Sequence, residues 1–146
     1  MQLTRAADYA VRVMIHLAAQ PPGTRLNRAA LASAAEVPEH FLSKVLQALG
    51  RARLIAAQRG TSGGFALAAA PEDISVLRVV EAIEGPLQLN VCLTGVGCHR
   101  QGWCPAHMVW VEAQAALTQV LKNASIAKLA RESVTPQDGK VIYPWN

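Results

Sequence analysis

Cys92, Cys98 and Cys104 are the three cysteines of this 146-residue chain, with five residues between each and the next, and His107 follows the last after two more. Gly95, Gly97 and Gly102 interrupt the stretch CLTGVGCHRQGWCPAH, so it reads as a loop with little core for thiols to fill. Thiols and an imidazole on one loop admit several chemistries. Structural zinc would take a Cys3His set, although the two-to-four-residue gaps between paired cysteines usual at such sites do not occur here. An iron-sulfur cluster is a larger body that a loop can wrap, so wider spacing suits it, and a histidine or another group can complete its ligands. A thiol redox switch needs one reactive cysteine beside a resolving one. Haem would need an axial ligand and a large apolar pocket, and no c-type attachment sequence is present. Spacing leaves cluster, zinc and thiol chemistry open. Catalysis has little support. No Ser-His-acid spacing or phosphate-cradling glycine motif occurs, and His16, His40, His99 and His107 lack the paired spacing of hydrolytic zinc sites.

A loop of this kind must be carried by a fold, and the composition bounds which one. Apolar residues make up 51% of the chain with few aromatics, which favours helices over a sheet-rich fold. No apolar run approaches the roughly 18 residues that would span a membrane, and the segment MQLTRAADYA has neither a long apolar core nor a cleavage signal. The expected compartment is the cytoplasm, where a reducing environment and an odd cysteine count both argue against disulfides. Net charge is +4, and it is concentrated: residues 1–60 hold eight basic side chains against Asp8, Glu36 and Glu39. A basic segment of this kind suits a polyanion such as double-stranded DNA.

Helices with firm punctuation supply the frame. Thr4 can cap a first helix with Ala7, Val11, Met14 and Ala18 on one face, stopped by Pro21-Pro22-Gly23. A short second helix starts at Asn27, with Leu26 and Leu31 spaced as a hydrophobic staple. Pro38 opens a third as a first-turn proline; Phe41, Leu42, Val45, Leu46 and Leu49 form its buried stripe, and His40, Ser43, Lys44, Gln47 and Arg51 its other face. Two short helices with a tight connection make a helix-turn-helix candidate. LIAAQ and FALA flank RGTSGG as a β-hairpin with Arg59, Thr61 and Ser62 at its tip, where small side chains and free N–H groups can approach phosphates. Three helices and a hairpin in this order predict a winged helix.

Further on, Ser75 caps a helix that ends at Gly85-Pro86, with Ile74 and Val79 as its staple. A longer helix from about 106 to about 122 carries Trp110, Ala113, Leu117, Val120 and Ala124 at alternating steps of three and four. Such a seam suits a partner helix, most simply the same helix of a second copy, although it could instead cover its own domain. The tail TPQDGKVIYPWN has no helical period; Tyr143 and Trp145 are its candidate docking side chains.

The segments MQLTRAADYAVRVMIHLA, VPEHFLSKVLQALGRARLI, RGTSGGFALA, CLTGVGCHRQGWCPAH and SIAKLA together resemble the IscR/NsrR/RirA family of iron-sulfur transcriptional regulators over nearly the whole chain. The resemblance implies a mainly α fold with a small β-hairpin wing. It divides into a winged helix-turn-helix DNA-binding domain over 1–85, a cysteine-bearing cluster loop over 86–107, a dimerisation helix and C-terminal segment over 106–130, and a tail over 131–146. It implies a homodimer that binds promoter DNA, expected to act as a repressor, whose affinity follows a 2Fe-2S or 4Fe-4S cluster sensing redox state, nitric oxide, iron or cluster supply. Carried over by position, Cys92, Cys98 and Cys104 would be the thiolate ligands. The fourth would be His107, as in IscR-like proteins, or Asp8 from the partner subunit, as in NsrR-like ones. His99 matches nothing in the family pattern and reads as a solvated neighbour. His40, Ser43 and Lys44 would contact bases, and Arg59, Thr61 and Ser62 would serve the wing. A cluster-free zinc or thiol-redox regulator stays open beside this reading, as does a small electron-transfer protein, for which the basic winged helix would have no purpose.

Overall fold

The computed structural model describes residues 2–133; the tail's Tyr143 and Trp145 lie outside them. Helix α1 spans Arg5–Ala18, α2 Arg28–Ala35 and α3 Glu39–Arg51; strands β1 (Ile55–Gln58) and β2 (Gly64–Leu67) follow, then α4 (Val76–Glu84), α5 (His107–Asn123) and α6 (Ile126–Glu132). This is the winged helix-turn-helix order, with three helices following the hairpin.

Local chemistry sets these boundaries. Thr4 Oγ1 accepts from the Ala7 N–H at 3.3 Å, Asn27 Oδ1 from Ala30 at 2.8 Å, and Ser75 Oγ from Arg78 at 3.2 Å, each satisfying a first-turn donor and contributing about 1 kcal/mol. Glu84 locks the start of α1 to the end of α4, accepting from the Thr4 N–H at 3.0 Å and the Thr4 hydroxyl at 2.5 Å. Helix α2 stops where Glu36 turns left-handed (φ 53°, ψ 46°), and the Val37 N–H returns to the Ala32 carbonyl at 2.9 Å. Pro38 lies one residue earlier than expected: its ψ of 136° is extended, so it caps α3 from outside the first turn.

The core forms where α1 meets α3, α4 and α6. Helix α1 buries Ala7, Ala10, Val13, Met14 and Leu17. Val11 and Ala18, expected on the buried face, are half-buried at its edge, because the face is centred on the row through Ala10, Val13 and Leu17. Leu42, Val45, Leu46 and Leu49 bury as expected, while Phe41 is half-buried, its ring edge-on to Tyr9 at 5.5 Å. Strands β1 and β2 pair antiparallel from Ile55 opposite Leu67 to Gln58 opposite Gly64. Leu26 extends this hairpin: its N–H donates to the Phe65 carbonyl at 3.0 Å, and the Phe65 N–H donates to its carbonyl at 2.8 Å.

The chain then leaves the winged helix and comes back. Helix α5 buries none of its residues. It packs on α4 with Val111, Leu117 and Leu121 half-buried, and Gln114 ties it down: its Nε2 donates to the Leu87 carbonyl at 2.5 Å, and the Leu89 N–H donates to its Oε1 at 2.8 Å. Of the expected seam, Trp110 and Val120 are exposed and Ala113, Leu117 and Ala124 half-buried. Beyond α5 the backbone pairs with the start of α4, the Val76 N–H to the Ala124 carbonyl and the Ile126 N–H to the Ile74 carbonyl, both at 2.8 Å. Ser125 caps α6 through the Lys128 N–H at 3.2 Å, and Ile126 and Ala127 are buried against α1.

Candidate cluster site and nucleic-acid interface

Burying Leu42, Val45, Leu46 and Leu49 turns the opposite face of α3 outward. His40, Ser43 and Lys44 are all exposed on it, followed by Gln47 and Arg51. Ser43 Oγ is engaged by the Arg28 guanidinium from the first turn of α2, a basic contributor that sequence reasoning left unassigned. Arg28 was visible only as one charge of a basic segment. The His40 ring lies 4.6 Å from that of Phe41, which is itself packed on Tyr9. Arg59, Thr61 and Ser62 are exposed at the hairpin tip, where Gly63 N–H donates to the Gly60 carbonyl at 3.0 Å. The six expected DNA contacts therefore occupy two exposed surfaces, one helical and one on the wing.

The cysteine loop is a succession of tight turns. Cys92 sits in a 3-10 turn over Val91–Leu93, closed by the Thr94 hydroxyl donating to the Val91 carbonyl at 2.7 Å. The Gln101 N–H returns to the Cys98 carbonyl at 3.0 Å, the Cys104 N–H to Arg100 at 2.8 Å, and the His107 N–H to Cys104 at 3.0 Å. These turns bring Cys92, Cys98, Cys104 and His107 onto one cavity of about 140 Å³, which Arg100 and Trp110 also line. The three cysteines are half-buried free thiols. His107 Nδ1 is buried with no hydrogen-bond partner, an arrangement whose cost a ligand would remove.

This donor set fits an iron-sulfur cluster. Among the described residues no group of three Cys, His, Asp or Glu side chains closes on a point that one ion could occupy. The three thiols and the imidazole share the lining of one cavity, and thiolate is the donor type an iron-sulfur cluster takes. Asp8 is exposed on α1 with its carboxylate held by Arg12 at 2.8 Å, and it does not line its own chain's cavity. His99 is exposed and does not line it either. Sequence reasoning missed Arg100 and Trp110; the latter lies one helical turn after His107, which could have revealed it. Arg100 also stacks on Trp103, its guanidinium carbon 4.6 Å from the ring centroid, and brings positive charge to the thiols.

Comparison with known proteins bears on the fold and the family. The Rrf2 family, described as "Iron-dependent Transcriptional regulator", matches residues 3–132. The HTH-type transcriptional regulator NsrR of Bacillus subtilis is 36% identical over 130 residues, covering 89% of this chain and 83% of that protein. NsrR of Geobacillus kaustophilus is 34% identical over 134 residues, covering 90% and 91%. Among solved structures, CymR, the global cysteine regulator of B. subtilis, superposes with a TM-score of 0.77 at 22% identity, covering 92% of this chain and 99% of that one. T. potens IscR gives 0.75 at 21%, covering 97% and 94%, so both share the fold. No described helix is long and apolar enough to cross a membrane. With its winged helix, its exposed recognition face and this match along nearly its whole length, the chain belongs to the Rrf2 family and is a DNA-binding transcriptional regulator.

Proposed function

We propose that this regulator is a homodimeric repressor whose affinity for promoter DNA is set by an iron-sulfur cluster on Cys92, Cys98, Cys104 and His107. The observation that carries the reading is the single cavity on which all four side chains converge, with His107 Nδ1 buried and unpartnered beside three free thiols. His107 is favoured over Asp8 because it lines that cavity, whereas Asp8 is paired with Arg12. A bound cluster supplies a group that responds to redox state, nitric oxide, iron or cluster supply.

The chain's own residues turn ligation into DNA affinity. His107 is the first residue of α5, so ligation there fixes the start of that helix. The exposed apolar side chains Val109, Trp110 and Val120 support pairing of α5 with its copy. A dimer paired this way holds two α3 helices at one separation. Engaging two half-sites about one DNA turn apart depends on that separation, and a mismatch costs several kcal/mol of specific binding. His40, Ser43 and Lys44 read bases, and Arg59, Thr61 and Ser62 hold the backbone beside them.

The test is iron and acid-labile sulfide per chain, with the visible spectrum, on protein purified without oxygen. About two of each supports the His107 site, and about four of each supports a cubane with Asp8 of the partner subunit as fourth ligand. Zinc or no metal overturns the cluster and leaves a winged-helix regulator using thiol or zinc chemistry.

A further inference from the structure

Arg28 is the first residue of α2, placed there by the Asn27 cap, and it is exposed. Its side chain reaches across the turn to α3, where Nη1 donates to Ser43 Oγ. His40, Ser43 and Gln47 form one row along the outer face of α3, at steps of three and four, so the guanidinium rests at the middle of that row. The ion pairs among the described residues are Arg12 with Asp8 and Lys128 with Glu132, so no carboxylate there holds Arg28. A guanidinium has five N–H donors and no acceptor, and one donor is spent on Ser43. Ser43 Oγ is the acceptor in this contact, so its own O–H is free to donate outward. The pair therefore presents donors and a fixed positive charge, which an acceptor satisfies and another donor opposes.

We propose that Arg28 and Ser43 read DNA as one unit, and that the unit selects guanine in each half-site. This rests on the reading that the outer face of α3 enters the major groove. Guanine shows two acceptors there, N7 and O6, which suit the arginine fork, whereas cytosine shows the N4 donor, which the pair opposes. Adenine adds a donor beside its N7 and thymine offers O4 alone, so each meets half of the pattern. Ser43 also holds the guanidinium in place before DNA arrives, which lowers the ordering cost of binding. Arg28 is thus a specificity-determining residue outside the recognition helix. Lysine does not replace it, because an ammonium has the charge without the fork.

The experiment is selection from a pool of DNA duplexes with a randomised core long enough for two half-sites, using the full chain purified without oxygen, followed by sequencing of the bound fraction. The parent is expected to enrich a motif with guanine at one position of each half-site. Arg28→Ala and Arg28→Lys are expected to keep the rest of that motif and to lose about tenfold or more of the guanine preference, the span of one bidentate base contact. Ser43→Ala relaxes the same position, and the double variant relaxes it no further than Arg28→Ala alone. Uniform weakening by Arg28→Ala with the motif intact makes Arg28 a phosphate contact and overturns the proposal, as does relaxation of different positions by the Arg28 and Ser43 variants. If His40→Ala or Lys44→Ala alters the motif while Arg28→Ala does not, the groove reading stands and this proposal falls. If none of these variants alters it, or the parent enriches no motif, both fall.

Discussion

Gly64 begins β2 with φ at +134°, and a Cβ there would lie 2.6 Å from the Leu26 carbonyl oxygen and 2.9 Å from its carbon. Both are backbone atoms, and Leu26 is pinned by its two hydrogen bonds to Phe65 at 3.0 and 2.8 Å. Gly64→Ala must therefore strain the backbone, at about 1–3 kcal/mol for a side chain in a glycine-only region. Otherwise it must break the Leu26 pair, at about 0.5–1.5 kcal/mol per hydrogen bond. Either route alone costs about 1–3 kcal/mol, and both together about 2–6. Gly50 provides the internal contrast: it lies in α3 with nothing within 4 Å of an added Cβ, so Gly50→Ala gains about 0.5–1 kcal/mol from helix propensity. Urea denaturation followed by circular dichroism reads both. With a urea slope of about 1–3 kcal/mol/M, Gly64→Ala lowers the midpoint by at least about 0.3 M, and by roughly 1 M for a cost of about 2 kcal/mol and a slope of about 2, while Gly50→Ala raises it by a few tenths. Two variants within 0.5 kcal/mol of the parent would refute the argument that the Leu26–Phe65 contact clamps the wing.

Other perturbations address function. Cys98→Ala is expected to lose most of the bound iron and its visible absorbance while keeping its helical circular dichroism, because Cys98 lines the cavity without belonging to the core; retention of full iron content would remove it from the ligand set. Arg59→Ala is expected to reduce the slope of log affinity against log salt by about 0.9 without changing sequence preference, as removal of one phosphate contact does; promoter titrations at four salt concentrations check it. Val120→Glu puts a charge on a side chain that is 66% exposed and on the face proposed to pair α5 with its copy; the expected outcome is a folded chain whose mass by light scattering is that of one chain where the parent's is that of two, and a parent already at the mass of one chain refutes the pairing. Leu49→Ala, at a fully buried position among α1, α3 and the wing, is expected to cost about 2–5 kcal/mol in the same urea assay.

Much of the frame was legible because its signals are local. Thr4, Asn27 and Ser75 each lie just before an apolar stripe and cap as read, and the glycines of RGTSGG mark the hairpin turn. Pro38 was misplaced by one residue because a proline fits both just outside and just inside a helix start, and only its ψ of 136° distinguishes them. The buried face of α1 is broader than its apolar spacing predicts, since α2, α3, α4, α6 and β2 all pack on that helix and bury more than one heptad-like row. The cysteine loop was legible as chemistry but not as shape. Convergence of Cys92 and Cys104 on one cavity comes from turns closed by backbone hydrogen bonds, which impose little on side-chain identity. Helix α6 was the least visible, although Ser125 had the caps' pattern; its place against α1 depends on a backbone pairing some fifty residues distant in sequence.

That pairing makes α5 a strut with unequal ends. At its C-terminal end Ala124 and Ile126 are stitched to the start of α4, and α6 is embedded in the core, so this end has the stiffness of the winged helix itself. At its N-terminal end His107 emerges from the cysteine loop, with Gln114 the polar tie between. A 17-residue helix is about 25 Å long, so a tilt of about 5° about the stitched end carries the loop end through about 2 Å. The displacement is largest where the thiols are and smallest where the helix joins the winged helix, so the strut has the geometry of a lever between the two.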